Sequence, residues 1–486
     1  MTLLKRSKFI SLTTAVYCFF SAPFALANNP IIDEYKSYLP DGANLTLLVQ
    51  GINQKEPIYA YNELQQSLPA STLKVITALA ALLELGEHFT FTTQFEIDKE
   101  ENIENGEVQN LTLRFTGDPS FTRQDLKKMI DSLKGAGINR IKGNLIIDVS
   151  AFSGHDKAPG WSWNDLTQCF NAPPSPAIID RNCFSFSLSA KKSGEIAEIN
   201  IADFYPVNVI STVNVLDEND TNLKHCELDV RPGDLNLFLL TGCMRKRKDP
   251  IALGFSVQDG AHYAGQLTSI YLANAGITVD GSIVRQTLIK PIGQVMVQHN
   301  SEPLRVLLKT MLKKSDNLIA DTLFRTIGQH RYSTSGTWSN SEKAIREILS
   351  EQANIDLGNN VIVDGSGLSR YNLITPQIMM QVLQFIGVND NQLNFIEMLP
   401  EAGKDGTLAY RGGLDAAGVN GKVNAKTGAL RGVYNLAGFI TGSSGKKIAF
   451  VQFITGYSVS PEDYKNRRAP LVKFESRLYK DIYQKN

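Results

Sequence analysis

The sequence is poor in the residues on which metal and redox chemistry depends. Five cysteines and six histidines are spread over 486 residues, and the histidines (88, 155, 225, 262, 299 and 330) stand singly. No spacing resembles a zinc-ligand pattern, so neither a metal site nor a cofactor is expected. An excess of one charge is also lacking: 49 Lys and Arg balance 49 Asp and Glu without a long basic run. That excludes nucleic acid as a natural partner. Beyond the first residues no stretch approaches the roughly 20 apolar residues of a membrane span. A Gly-x-Ser-x-Gly elbow, the mark of one large group of Ser-His-Asp hydrolases, is absent as well.

What is present begins with a secretory leader. Lys5, Arg6 and Lys8 precede an apolar stretch over 9–20, and Ala25-Leu26-Ala27 supplies the small residues of a cleavage site. Cleavage after Ala27 would remove Cys18 and export a soluble protein. Four cysteines then remain in an oxidising compartment: Cys169, Cys183, Cys226 and Cys243. Three pairings are possible. Cys169–Cys183 with Cys226–Cys243 is favoured because each bridge closes a short local loop.

The chain is organised around Leu68-Pro69-Ala70-Ser71-Thr72-Leu73-Lys74, which opens an Ala/Leu-rich run ending at Gly86. Three residues apart at a helix start, Ser71 and Lys74 share one face about a turn apart. An amine so placed takes the serine proton if it is held neutral. Ser-x-x-Lys recurs at Ser189 to Lys192 and Ser443 to Lys446, but both copies lie in Gly/Ser/Lys clusters that read as turns.

Around this helix the pattern predicts an α/β (α+β) fold in several units. Strands are expected at 43–61 (a pair), 91–97, 111–115, 141–149 and 277–286, and helices at 123–137 and 259–276. Residues 184–244 read as strand after strand, 159–176 as irregular and rich in Trp, Pro and Asn. Helices return at 304–313, 318–327 and 375–387, followed by strands at 422–428, 433–441 and 446–453. The last helix places Leu471, Phe474, Leu478 and Ile482 on one face; packing on a sheet is favoured over a weak membrane association. The expected division is a discontinuous catalytic domain (28–90 and 293–486), an inserted α/β domain (91–183 and 252–292) and a nested β domain (184–251).

Two further motifs follow the first in fixed order, Ser315-Asp316-Asn317 between helices and Lys426-Thr427-Gly428 on a strand. Either alone is weak, since Ser162-Trp163-Asn164 also fits the second. Together with Ser71-x-x-Lys74 they form the motif set of penicillin-binding and serine β-lactamase-like enzymes. The sequence is similar to the class C low-molecular-mass penicillin-binding proteins, the D-alanyl-D-alanine carboxypeptidase/endopeptidases of the Gram-negative periplasm. The stretches 161–165, 312–317, 364–370 and 433–440 carry that resemblance, which covers nearly the whole mature chain.

From the residues, Ser71 is the expected nucleophile and Lys74 its base, with burial and the nearby Lys426 lowering the Lys74 pKa. Ser315 relays a proton to the leaving amine. Asn317 orients Lys74 and bonds a substrate amide. Lys426 and Thr427 receive a terminal carboxylate, and Gly428 lets the strand approach closely. The resemblance implies an oxyanion site at the backbone N–H groups of Ser71 and Ala429, and places Arg370 near the cleft. It also implies that the inserts help recognise substrate side chains, for which Asp165 and Phe170 are the candidates toward a diaminopimelate amine. Gly365 and Gly367 read equally as parts of a tight turn. Arg431 stands where the resemblance leads one to expect a neutral amide. The implied partners are peptidoglycan stem peptides and crosslinks, with β-lactams as covalent inhibitors. A β-lactamase of the same fold and a catalytically weak cell-wall scaffold are the alternatives.

Overall fold

The computed structural model describes residues 30–100, 103–458, 460 and 464–486; the expected leader and its cleavage site lie outside the described residues. Among them, no helix is long and apolar enough to cross a membrane.

Alternating side chains in a sheet covered on both faces are all apolar, and Lys447–Thr455 shows the result. Ala449, Val451 and Phe453 face one buried cluster while Ile448, Phe450 and Ile454 face another. The strand is central in an antiparallel five-stranded sheet ordered Val423–Leu430, Val433–Thr441, Lys447–Thr455, Asn44–Gly51, Pro57–Tyr61. One face carries the helices Lys74–Leu85, Leu304–Lys314, Asn317–Tyr332, Trp338–Ala353 and Pro376–Leu393. The other carries Ala469–Lys485, whose Leu471, Phe474, Leu478 and Ile482 are all buried against the sheet. That packing accounts for the apolar face of the last helix without a membrane.

Lys74–Leu85 is surrounded by the other helices, and its residues 74–81 are all buried. Over that stretch it is not amphipathic, because no side of it meets water; only its last turn, 82–85, is partly exposed. Val423–Leu430 is the last strand of the sheet; on its outer side only its first residues are paired, Val423 O accepting from Ala402 N–H (2.9 Å) and Ala425 N–H donating to Pro400 O (3.0 Å).

The second unit is a five-stranded sheet ordered Ile283–Gln286, Leu145–Asp148, Leu111–Phe115, Thr92–Ile97, Gln294–Asn300, with helices Arg123–Gly135 and Gly260–Asn274. Here the strands expected at 141–149 and 277–286 are each broken in two. Their first residues, Arg140–Ile141 and Thr278–Val279, pair in a separate small sheet with Glu107–Val108. The breaks fall on the polar steps Lys142-Gly143-Asn144 and Asp280-Gly281-Ser282, where Asn110 Oδ1 accepts from the Asn144 N–H (2.8 Å) and Asn144 Oδ1 from the Ser282 N–H (3.0 Å).

Residues 183–256 form small sheets whose buried Phe184, Phe186, Phe238 and Phe255 join the same apolar cluster as the α/β sheet. Cys183–Ser189 pairs with Ile251–Ser256, so the expected limits at 184 and 251 cut through one paired sheet, and Gln294–Asn300, expected in the catalytic domain from 293, pairs instead with Thr92–Ile97 of the second unit. The structure bonds Cys169 to Cys183 and Cys226 to Cys243.

Candidate active site

The chain reaches Ser71 through a 3₁₀ turn, Ala70–Leu73, and becomes α-helical only at Lys74. No side chain caps either element. Ala70 is left-handed (φ 47°) without being glycine, at a cost of about 1–2 kcal/mol. The sheet holds this turn in place: Asn435 Nδ2 donates to the carbonyls of Leu68 (2.8 Å) and Pro69 (3.0 Å).

Two glycines let neighbouring backbone close on it. A Cβ at Gly428 would stand 2.6 Å from Pro69 O, and one at Gly367 (φ +83°) would stand 1.9 Å from Ala70 O. Gly367→Ala is therefore expected to shift the Ser71 turn and lower the second-order rate of penicillin acylation by roughly ten- to a hundredfold. A stopped-flow measurement giving the wild-type rate would contradict that placement.

Lys74 is fully buried, and its Nζ lies 2.9 Å from Ser71 Oγ, 2.7 Å from Asn317 Oδ1 and 2.7 Å from Ser366 O. Three acceptors satisfy an ammonium. A neutral amine spends its two N–H groups on the Asn317 and Ser366 oxygens, which leaves its lone pair facing the Ser71 hydroxyl. Burial lowers the Lys74 pKa to about 8, opposed by the charges of Asp321, Asp364 and Asp316. Burial is the main cause, and the mutual repulsion of Lys74 and Lys426 is seen at Lys426, whose pKa Lys74 lowers.

Ser315 ends the helix Leu304–Lys314 in the left-handed region (φ 58°), and Asp316 Oδ1 caps the next helix at Ile319 N. Ser315 Oγ accepts from Lys426 Nζ (2.9 Å), which also donates to Thr427 O (3.0 Å). Lys426 is buried too, and burial, then Lys74 and Arg411, push its pKa well below the ordinary lysine range. Thr427 Oγ1 pairs with Thr407 Oγ1 at 2.9 Å.

A cavity of about 380 Å³ opens over Ser71, Ser315, Asn317 and Ala429. Asp165, Phe170 and Arg370 also line it, as does Arg431, whose carbonyl accepts from Arg370 Nη1 (3.1 Å). Lys426, Thr427 and Gly428 are not on that wall; Lys426 reaches the cavity through Ser315. A larger cavity of about 730 Å³ lies between Pro57–Tyr61 and Pro376–Leu393, and no residue of the three motifs lines it.

The loop 364–370, left undecided in the sequence, forms the floor of the site. Ser366 supplies a carbonyl to Lys74, and the loop is fixed by two buried carboxylates that sequence reasoning missed as a pair. Asp321 Oδ1 accepts from the N–H groups of Gly365 (2.9 Å) and Ser366 (2.8 Å). Asp364 accepts from Gly367 N, Ser369 N, Asn372 Nδ2 and Trp161 Nε1. Burial and the neighbouring Asp364 push the Asp321 carboxyl well above the usual range. Among the described residues, no cluster of His, Cys, Asp or Glu is arranged to hold a metal ion.

An antiparallel sheet between two helical layers, with a serine–lysine pair between its buried helix and its edge strand, places the chain in the penicillin-binding/β-lactamase-like class of serine enzymes. Within that class it belongs to the D-Ala-D-Ala carboxypeptidase 3 (S13) family, whose description it matches over residues 30–478. It is 43% identical to the D-alanyl-D-alanine carboxypeptidase DacB of Haemophilus influenzae, over 98% of this chain and 99% of that one. A D-alanyl-D-alanine carboxypeptidase of an Actinomadura species is 29% identical over 86% of this chain and 79% of its own length. The crystal structure of penicillin-binding protein 4 (dacB) from H. influenzae superimposes with a TM-score of 0.89 at 43% identity, covering 93% of this chain and 99% of that one. The same protein complexed with a novel β-lactam gives 0.85 at 40% identity, again over 93% and 99%. The family read from the three motifs is thus borne out.

Proposed function

We propose that this enzyme is a periplasmic serine D-Ala-D-Ala carboxypeptidase and D,D-endopeptidase that trims peptidoglycan stem peptides and opens their crosslinks. The observation that carries the reading is Lys74: buried, fixed by Asn317 and Ser366, and aimed at Ser71 Oγ. Ser71 gives its proton to Lys74 as Oγ bonds to the carbonyl carbon of the penultimate D-alanine. The oxyanion rests on the N–H groups of Ser71 and Ala429. The C–N bond then breaks, and a proton passes through Ser315 to the leaving amine. Water adds to the acyl-enzyme, leaves the shortened peptide as a carboxylic acid and frees Ser71 with its proton. Lys426 and Thr427 receive the terminal carboxylate, whose charge favours the Lys426 ammonium that burial disfavours. Residues 426–430 of the edge strand, beyond the part paired with 400–402, let an extended peptide add alongside. A β-lactam presents the same carbonyl and carboxylate, and acylates Ser71.

The related β-lactam complex and the long insertion support this reading over a β-lactamase. Lys74 and Asn317 stand 243 residues apart, with the whole second unit between them. Release of D-alanine from a diaminopimelate peptide ending in D-Ala-D-Ala, blocked by benzylpenicillin, is the test. No release, or rapid turnover of the benzylpenicillin itself, would remove the reading.

Asp165 and Phe170, which line the cavity together with Arg370 and Arg431, meet the substrate side chain. A carboxylate beside an aromatic face suits the free amine of diaminopimelate. Asp165→Ala is expected to slow turnover of diaminopimelate peptides by about 1.5–3 kcal/mol in kcat/KM, one charge-assisted bond. Acylation by a penicillin without an amine should hold its rate; an equal fall in both would mean damage to the fold.

A further inference from the structure

The loop closed by the Cys169–Cys183 disulfide meets three consecutive residues of the second motif and its helix. Arg181 Nη2 lies 2.5 Å from Asp316 Oδ2. Phe170 O accepts from Asn317 Nδ2 at 2.9 Å. Ala172 and Ile178 bury Leu318 in a small apolar cluster of their own. One further bond, from Arg325 Nη1 to Pro174 O (3.2 Å), ties the middle of the loop to the same helix.

These contacts set the geometry of the base. The Asn317 amide has an oxygen end and a nitrogen end, and only the oxygen accepts from Lys74. The Phe170 carbonyl claims the nitrogen end, so the oxygen faces Nζ; a flipped amide would turn its N–H groups on the amine. Arg181 fixes Asp316, whose other oxygen caps the helix that carries Asn317.

The backbone that aims Arg181 is strained. Asp180, Arg181 and Asn182 are three successive non-glycine residues in the left-handed region, with φ of 48°, 64° and 48°. Such a run persists only where its surroundings over-determine it. Asp180 is paired with Arg123, and Asn182 bonds Ala177 O and Ile179 N through its side chain. Asn182 O accepts from Val257 N, and the disulfide fixes the next residue. The other end of the loop is laced to the β module through Ser256 N to Thr167 O (2.8 Å) and Ser256 Oγ to Leu166 O (3.0 Å).

We propose that the disulfide-closed loop 169–183 is a positioning clamp for Asn317 and Lys74, with Arg181 its charged contact, so that the inserted unit assembles the acylation machinery. The proposal rests on the serine acyl-transfer reading above. It makes Arg181 a positioning residue that never touches substrate, and it separates the two disulfides: Cys169–Cys183 is functional, while Cys226–Cys243 serves only its local fold.

The test is the second-order rate of acylation by benzylpenicillin across pH, on the full mature chain. Arg181→Ala and the double change Cys169→Ser/Cys183→Ser are expected to lower the rate by roughly tenfold or more, since misplacing a reacting group costs up to about a hundredfold. Arg181→Lys recovers most of the loss, and Cys226→Ser/Cys243→Ser leaves the rate unchanged. The groups facing Lys74 are Asp316, Asp321 and Asp364, with Lys426 beyond Ser315. Without Arg181 the Asp316 charge is unopposed and holds the Lys74 proton more firmly, so the rising limb of the profile moves to higher pH. Partial unfolding would lower the amplitude and leave the limb in place. A wild-type rate with an unmoved limb in Arg181→Ala overturns the clamp, as does an equal loss in the two cysteine pairs. If the wild-type protein itself is not acylated, the failure belongs to the acyl-transfer reading instead.

Discussion

Ser71→Ala is expected to abolish covalent labelling by a fluorescent penicillin while the protein melts at nearly its original temperature. The loss of rate should be on the order of a millionfold, as for other serine nucleophiles that act with a base as one unit. The fold tolerates the change because Ser71 supports little of it. The turn is held by Thr72 Oγ1 on Pro69 O (2.7 Å) and by Asn435 on the Leu68 and Pro69 carbonyls, and neither bond involves the Ser71 side chain. What the variant loses is one hydrogen bond from Lys74, which keeps Asn317 Oδ1 and Ser366 O. The expected change in stability is therefore within about 1 kcal/mol. Labelling gels and a thermal melt of the same preparation read both quantities. A variant that still labels, at whatever residue, would take the nucleophile away from Ser71.

The parts of this site that could be read in the sequence are those carried by local spacing. Ser71 and Lys74 meet because three residues make about one helical turn, and Ser315 and Asn317 because a helix ends at one and begins beside the other. The sheet was legible for a similar reason, since Val433–Thr441 and Lys447–Thr455 are apolar on both faces and joined by a tight Gly/Ser turn. The parts that stayed hidden depend on contacts between distant segments. Ser366 becomes a partner of Lys74 only because Asp321, on another helix, holds the loop 364–367 by two backbone N–H groups. The pinning of Asn317 by Phe170 O joins residues 147 positions apart through a main-chain atom that no residue type announces. The breaks at 142–144 and 280–282 fall on Lys142-Gly143-Asn144 and Asp280-Gly281-Ser282, polar steps that a continuous strand reading passed over; there the Asn110 and Asn144 side chains take the Asn144 and Ser282 N–H groups. The carboxylates around Lys74 were hidden in a like way. Lys426 was visible as a nearby motif, whereas the three carboxylates that oppose burial come from two different segments.

Lys74→Arg separates a base from a fixed positive charge, and the expected result is a loss of acylation of roughly a hundred- to ten-thousandfold, the usual worth of a positioned general base. Burial brings the Lys74 pKa to about 8, so an appreciable fraction of the amine is neutral near that pH. Arginine keeps its proton throughout the accessible range and offers donors without a lone pair to the Ser71 hydroxyl. Its planar fork also has to enter a site where three oxygens approach a single nitrogen at 2.7–2.9 Å. The pH dependence follows from the same fact. The active form of Lys74 is the deprotonated one, so the wild-type acylation rate rises as pH increases through about 8 and levels off above it. Lys426 works in the opposite sense: it serves a bound carboxylate as an ammonium, although burial in the empty site favours its neutral form. A substrate carboxylate shifts it back toward the charged state, and penicillins that lack the carboxylate should acylate slowly at every pH. Lys74→Arg is expected to remove the rise and leave a low, flat profile, because no group in that position can then change its proton. Acylation rates of the two proteins measured over roughly pH 6 to 9 check this. A variant within a few-fold of wild type, or a wild-type rate that stays level through that range, would make Lys74 a fixed cation and require the Ser71 proton to leave by another route.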